Sequence, residues 1–186
     1  MVTLANLSMV TSVNLAYLIA LVMGLGVAHA MEPDHIVTLR SARSFSTVWK
    51  FALSHGLGFL LIGLPLVALF GYLPFLDTLG DVVGIGICVI FLVAVLMDKE
   101  IEFGFKTGII QGGLALTPTK FLVAILVSNL GLELGFTLLI LFTIVSSLAL
   151  LVVGLVLPLI PSKASKVADV VISMSAILYL LYTILK

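Results

Sequence analysis

Charge is what this chain has least of. Of its 186 residues only 10% are Asp, Glu, Lys or Arg, about two-fifths of the usual share, and nine basic residues cancel nine acidic ones. With no basic excess there is no electrostatic footprint for a phosphate backbone, so nucleic acid is excluded as a partner. A single cysteine, Cys88, rules out a disulfide framework and a two-cysteine relay. The stretch from Met1 to Ser12 carries no Lys or Arg, so no cleaved signal is expected. No G-x4-G-K-[ST] loop occurs, so the chain has no phosphate cradle of that kind for driving work with nucleotide.

What is abundant is apolar residue, at 62% of the chain and a mean hydropathy of +1.36. That composition predicts a polytopic membrane protein with the bilayer as its main partner. A spanning helix needs about 20 apolar residues. Six stretches meet that length, at 11–31, 51–73, 79–97, 107–128, 133–157 and 167–185, giving an all-α single transmembrane domain. Gly63 and Pro65 interrupt the second stretch and Pro118 the fourth, as broken helices in membrane proteins allow.

Basic residues set the orientation. Arg40, Arg43 and Lys50 fall in the first loop, Lys99 and Lys106 in the third, Lys163 and Lys166 in the fifth. None falls in the second loop, between Tyr72 and Asp81. Odd loops are therefore expected in the cytoplasm and both termini outside, in a cytoplasmic (inner) membrane. Lys186 alone opposes this. Tyr17, Trp49, Tyr72, Tyr179 and Tyr182 suit interfacial anchors.

GVAHAMEPDHIV near the start resembles GGLALTPTKFLV in the fourth stretch, with Glu32-Pro33 set over Thr117-Pro118. Three spans per half would make halves 9–98 and 107–186 an inverted repeat, the plan of transporters whose broken helices meet at a central site. Chance sharing of Gly, Leu and Pro between two apolar segments is the plainer explanation.

The polar residues concentrate in one place. All three histidines, His29, His35 and His55, lie in the first two stretches, with Glu32, Pro33 and Asp34 between the first pair. On an unbroken helix His29, Glu32 and His35 share one side within about 120°, and Asp34 points elsewhere. Pro33 has no N–H to offer the His29 carbonyl and disfavours the helical conformation at Glu32. The segment is therefore expected to unwind, bring Asp34 round and free a carbonyl oxygen as a further ligand. His35 and His55 flank the same loop and should lie at like depth, about 7 Å inside it.

Imidazole and carboxylate together suit a divalent transition metal such as nickel, cobalt or zinc. Ionisable groups at membrane depth are costly to desolvate and mark function. Plainer readings stand beside this one: Glu32, Asp34 and His35 as interfacial caps paired with Arg40 or Arg43, and His55 as an interhelical hydrogen bonder. In the second half, Gln111, Thr117, Thr119 and Lys120 are candidates to line a path. Lys120 is awkward in an apolar segment unless the helix breaks at Pro118. Asn129 and Glu133 flank Gly131 and read as a turn or a second gate.

His29-Ala-Met-Glu-Pro-Asp34-His35 resembles the H-x4-D-H signature of the nickel/cobalt transporter family, and Leu53-Ser54-His55-Gly56 resembles its next motif, L-G-H-S. The chain is similar also to urease-accessory-protein-H-like and sulfite-exporter-like membrane proteins of the lysine-exporter superfamily. The resemblance covers about the first third of the chain. It lacks that family's span ahead of the signature helix, and GLALTPTKF stands where the family carries an acidic G-F-D-T-A-T-E motif. The resemblance implies metal binding by His29, Asp34, His35 and His55.

The expected function is a secondary transporter, not an enzyme. It would move a divalent transition-metal ion as cargo, hold no tightly bound cofactor, and use proton coupling through Glu32. Pro33, Ser54, Thr117, Thr119 and Glu133 would form the path. Two other classes remain open: an intramembrane zinc hydrolase, which keeps its metal loaded, and an exporter of sulfur oxyanions or organic acids. Self-association is left open.

Overall fold

The computed structural model describes residues 4–42, 44–65, 75–97, 104–115, 117–128, 130, 132–157 and 162–185. Eight α-helices account for nearly all of them, and no strand occurs among the described residues. In chain order they are α1 (Leu4–Ala30), α2 (Pro33–Ser41), α3 (Phe45–Gly58), α4 (Phe75–Leu96), α5 (Phe105–Leu114), α6 (Pro118–Ser128), α7 (Leu132–Val156) and α8 (Ser162–Leu185). One turn of π-helix, Phe59–Gly63, prolongs α3.

Local chemistry explains the breaks. Glu32 precedes a proline and adopts φ −62°, ψ 142°, the extended geometry that a following pyrrolidine ring enforces. Pro33 then opens α2 at a first-turn position, where its missing N–H costs nothing. The axes of Leu15–Ala30 and Pro33–Ser41 meet at 54°. Ser44 caps α3 by accepting from the Thr47 amide at 3.1 Å. In the second half, α5 ends at Ala115 with ψ 91° and Pro118 opens α6. The fourth apolar stretch is thus two helices, not one.

Phe45–Ile62 and Glu133–Val156 are long and apolar enough to cross a membrane, and the bent α1–α2 pair makes a third such unit. Asp81–Leu96 is apolar but shorter. Each of the six expected spans overlaps a helix, while two or three of the described helices meet the length and apolarity a crossing needs. Positions 66–74, Arg43, Asn129 and the charged stretch from Asp98 to Glu102 lie outside the described residues.

The distribution of polarity runs opposite to that of a water-soluble domain. Leu61, Val152, Val171 and Leu148 lie exposed, while His29, Asp34, His35, His55, Gln111 and Lys120 are buried. An apolar exterior around a polar interior is what a bilayer selects, because lipid tails exert no hydrophobic drive between helices. Close approach of small residues replaces it. α3 packs along α5 through Gly58, Gly108, Gly112 and Gly113. A methyl group at Gly112 would stand 2.0 Å from the His55 carbonyl oxygen. α1 packs on α7 and α6, whereas α2 packs on α8, α4 and α7. The two arms of the broken pair therefore lean partly on different partners, and the polar residues collect at their joint.

Candidate functional site

His29 sits in the last turn of α1, fully buried, and its two ring nitrogens have different tasks. Nδ1 faces three oxygens: Glu32 Oε2 at 2.6 Å, Thr119 Oγ1 at 2.9 Å and Thr117 Oγ1 at 3.2 Å. Thr119 donates its one hydroxyl hydrogen to Glu32 Oε1 at 2.8 Å, so towards His29 it can only accept. With the neutral ring's proton on Nδ1, Nε2 carries the lone pair and accepts a hydrogen bond from His55. Nε2 stands 3.1 Å from Nε2 of His55, which comes from α3.

His35 lies on α2, one residue after Asp34, and completes the cluster. Its ring centroid is 4.5 Å from that of His29 and 4.6 Å from that of His55, each pair edge to face. Its Nδ1 is 3.5 Å from Asp34 Oδ1 and 3.7 Å from Glu32 Oε2. The break at Pro33 has turned Asp34 into the same space as Glu32. The His29 carbonyl, expected to be freed, instead accepts from the Glu32 amide at 3.2 Å, because the chain closes a tighter turn before it leaves the helix.

Two overlapping ligand sets result. One atom each from His29, His35 and His55 lie within 4.8 Å of one another, and so do one each from Glu32, Asp34 and His35. Glu32 Oε2, both nitrogens of His35 and Nδ1 of His55 are buried without a hydrogen-bond partner. The Glu32–His29 contact is close enough for an ion pair but not aligned as a hydrogen bond. Each orphan costs about 1–3 kcal/mol. Four at one point can be met by ordered water or by a cation. Two nitrogens on one tetrahedral metal stand about 3.3 Å apart at bonds of about 2.0 Å. The 3.1 Å between His29 and His55 is the length of a hydrogen bond and lies close to that spacing.

An outer layer holds these groups. Gln111 on α5 donates from Nε2 to Asp34 Oδ2 at 2.7 Å, and the Thr38 hydroxyl shares its hydrogen between the Asp34 carbonyl at 2.9 Å and Gln111 Oε1 at 3.1 Å. The ring of Phe142 lies 5.5 Å from that of His29, and the ring of Phe51 lies 5.7 Å from that of His55. Lys120 is fully buried close by and turns its ammonium onto main-chain carbonyls.

The structure thus brings together His29, Glu32, Asp34, His35 and His55 with Thr117 and Thr119, and Pro33 supplies the turn. Ser54 sits apart in the α3–α5 seam, its hydroxyl bound to the Phe51 carbonyl at 3.1 Å. Glu133 lies exposed in the first turn of α7, with its carbonyl accepting from Thr137 at 2.8 Å. Thr38 carries no sequence signal beyond a place one turn after Asp34. Gln111 is visible as a polar residue in an apolar stretch, but its hold on Asp34 spans 77 positions.

No family model matches this chain, and neither a curated protein nor a solved structure matches it.

Proposed function

We propose that this chain is a secondary transporter of a divalent transition-metal cation, with His29, Asp34, His35 and His55 as transient ligands and Glu32 as the coupling group. One observation carries the reading: three imidazoles and two carboxylates converge at a helix break, with four of their buried polar atoms making no hydrogen bond. Such a donor set suits nickel, cobalt or zinc. Every ligand must shed its proton to bind, so proton movement against metal movement is chemically natural. The two carboxylates would repel an oxyanion, which weighs against the anion-exporter reading.

The repeat is part of the same proposal. Both halves contain a helix that stops and restarts on a proline, at Pro33 and at Pro118, and Thr117 and Thr119 from the second break touch His29 and Glu32 from the first. Six spans in two inverted halves, both termini outside and a cytoplasmic-membrane location complete the reading. It fits the resemblance to nickel/cobalt transporters.

The test is ion uptake or efflux by the purified chain in proteoliposomes, screened across nickel, cobalt, zinc, manganese and sulfite. Saturable movement of at least one divalent metal, dissipating a pH gradient, is expected. Metal that stays bound through dialysis and never crosses would point to a hydrolase centre. Movement of sulfite alone would point to an anion exporter.

A further inference from the structure

Lys120 is fully buried, yet no carboxylate among the described residues lies within ion-pair distance of its nitrogen. Its Nζ donates instead to the carbonyl oxygens of Gln111 at 3.2 Å, Gly112 at 2.8 Å and Ala115 at 2.7 Å. The ammonium has three hydrogens and meets three oxygens. These carbonyls belong to the last turn and the cap of α5, the negative end of a helix dipole; that of Gln111 also accepts from the Ala115 amide at 3.2 Å. The ring of Phe59 lies 5.6 Å from the nitrogen and offers its face to the charge.

A ring of main-chain carbonyls at the end of a half-helix is how broken-helix transporters hold a coupling cation. The oxygen distances here are those of an ammonium's hydrogen bonds. Calcium draws its oxygens to about 2.3–2.6 Å and magnesium to about 2.0–2.1 Å, both too short for this cage. Potassium and ammonium are larger, and carbonyl rings strip potassium of its water.

We propose that the α5–α6 break is a monovalent-cation site of potassium or ammonium size, which the chain fills with its own Lys120 ammonium. A half-helix end that would otherwise take an ion from solution needs none. Pro33 set over Pro118 places Lys120 two residues beyond its proline, as His35 is beyond Pro33. The second break thus carries a fixed cation where the first carries a ligand.

The test uses no transition metal, so its failure would leave the transport reading untouched. Lys120→Met keeps the apolar stem and omits the ammonium. Purified full-length parent and variant are unfolded thermally at equal ionic strength in choline, sodium, potassium and ammonium chlorides. In choline the variant should melt about 5 °C or more below the parent. Potassium and ammonium should restore it saturably, sodium less, while the parent melts alike in all four salts. A variant as stable as the parent in choline overturns the proposal, and so does one that no cation restores or that all four restore equally. Should Lys120→Met fail to survive extraction in choline, its monodisperse yield replaces the melting point. Recovery in potassium or ammonium chloride supports the site, and equal loss in every salt overturns it.

Discussion

Nε2 of His29 and Nε2 of His55 face each other across 3.1 Å, although 26 residues separate them in the chain. Thr119 and Glu32 hold the far nitrogen of His29, and the His55 backbone is pressed against Gly112 of α5. The His29 ring is thus held by its far nitrogen, and His55 is positioned through its backbone.

The lock on His29 predicts a graded response. Thr119→Val keeps the shape of the side chain but removes the oxygen that accepts from Nδ1. Loss of such an outer partner typically costs 10–100-fold in metal affinity. Metal titration of the folded variant should show a loss in that range, and unchanged affinity would mean that Nδ1 needs no partner.

Gln111→Leu addresses the opposite side. It removes the 2.7 Å hydrogen bond to Asp34 while filling similar volume. Affinity should fall about 10–100-fold with insertion unchanged. Asp34→Asn should lose more, because it removes the charge as well. If Gln111→Leu binds as the parent does, Asp34 is oriented by something else.

Gly112 and Gly86 make a matched pair. A methyl at Gly112 meets the oxygen, carbon and Cα of His55 at 2.0, 2.8 and 2.9 Å, main-chain atoms that no side-chain rotation can move. A methyl at Gly86 meets nothing within 4 Å. Gly112→Ala should destabilise by about 1–3 kcal/mol or more and displace His55 from the cluster. Gly86→Ala should stay within about 0.5 kcal/mol of the parent. Thermal melts and metal titration of both variants check this, and equal behaviour would contradict the α3–α5 packing.

Pro33→Ala restores an amide at the first position of α2. The variant should remain folded and inserted, but with α1 and α2 free to align into one helix, Asp34 loses its place beside Glu32. Transport in proteoliposomes should fall at least tenfold. Full activity would show the break to be incidental.

Much of this site is legible in the sequence itself. Three histidines around a Glu-Pro-Asp turn in so apolar a chain single out the cluster, and Pro118 explains how Lys120 can be buried. What the sequence withholds is long-range. Composition cannot say that Gln111 reaches Asp34 or that Thr119 closes on His29, since those contacts depend on how α5 and α6 pack against α1 to α3. Ser54 shows the converse: a polar residue beside a ligand reads as part of the site, yet its hydroxyl is satisfied by its own helix. The carbonyl of His29 misleads for a similar reason, because a tighter turn supplies the hydrogen bond that the proline denies. Hydropathy marks six apolar stretches, but it cannot locate the ends of helices that stop and restart inside one of them.

The most direct test is calorimetric titration of nickel, cobalt and zinc into the purified parent, His29→Ala and His55→Ala, with circular dichroism verifying the fold of each. The parent should bind at least one ion saturably, with affinity falling as the solution is acidified and protons compete for the same nitrogens and carboxylates. Each alanine variant should lose that binding while remaining helical. Variants that keep the parent's affinity for every ion it binds would contradict the assignment of the site.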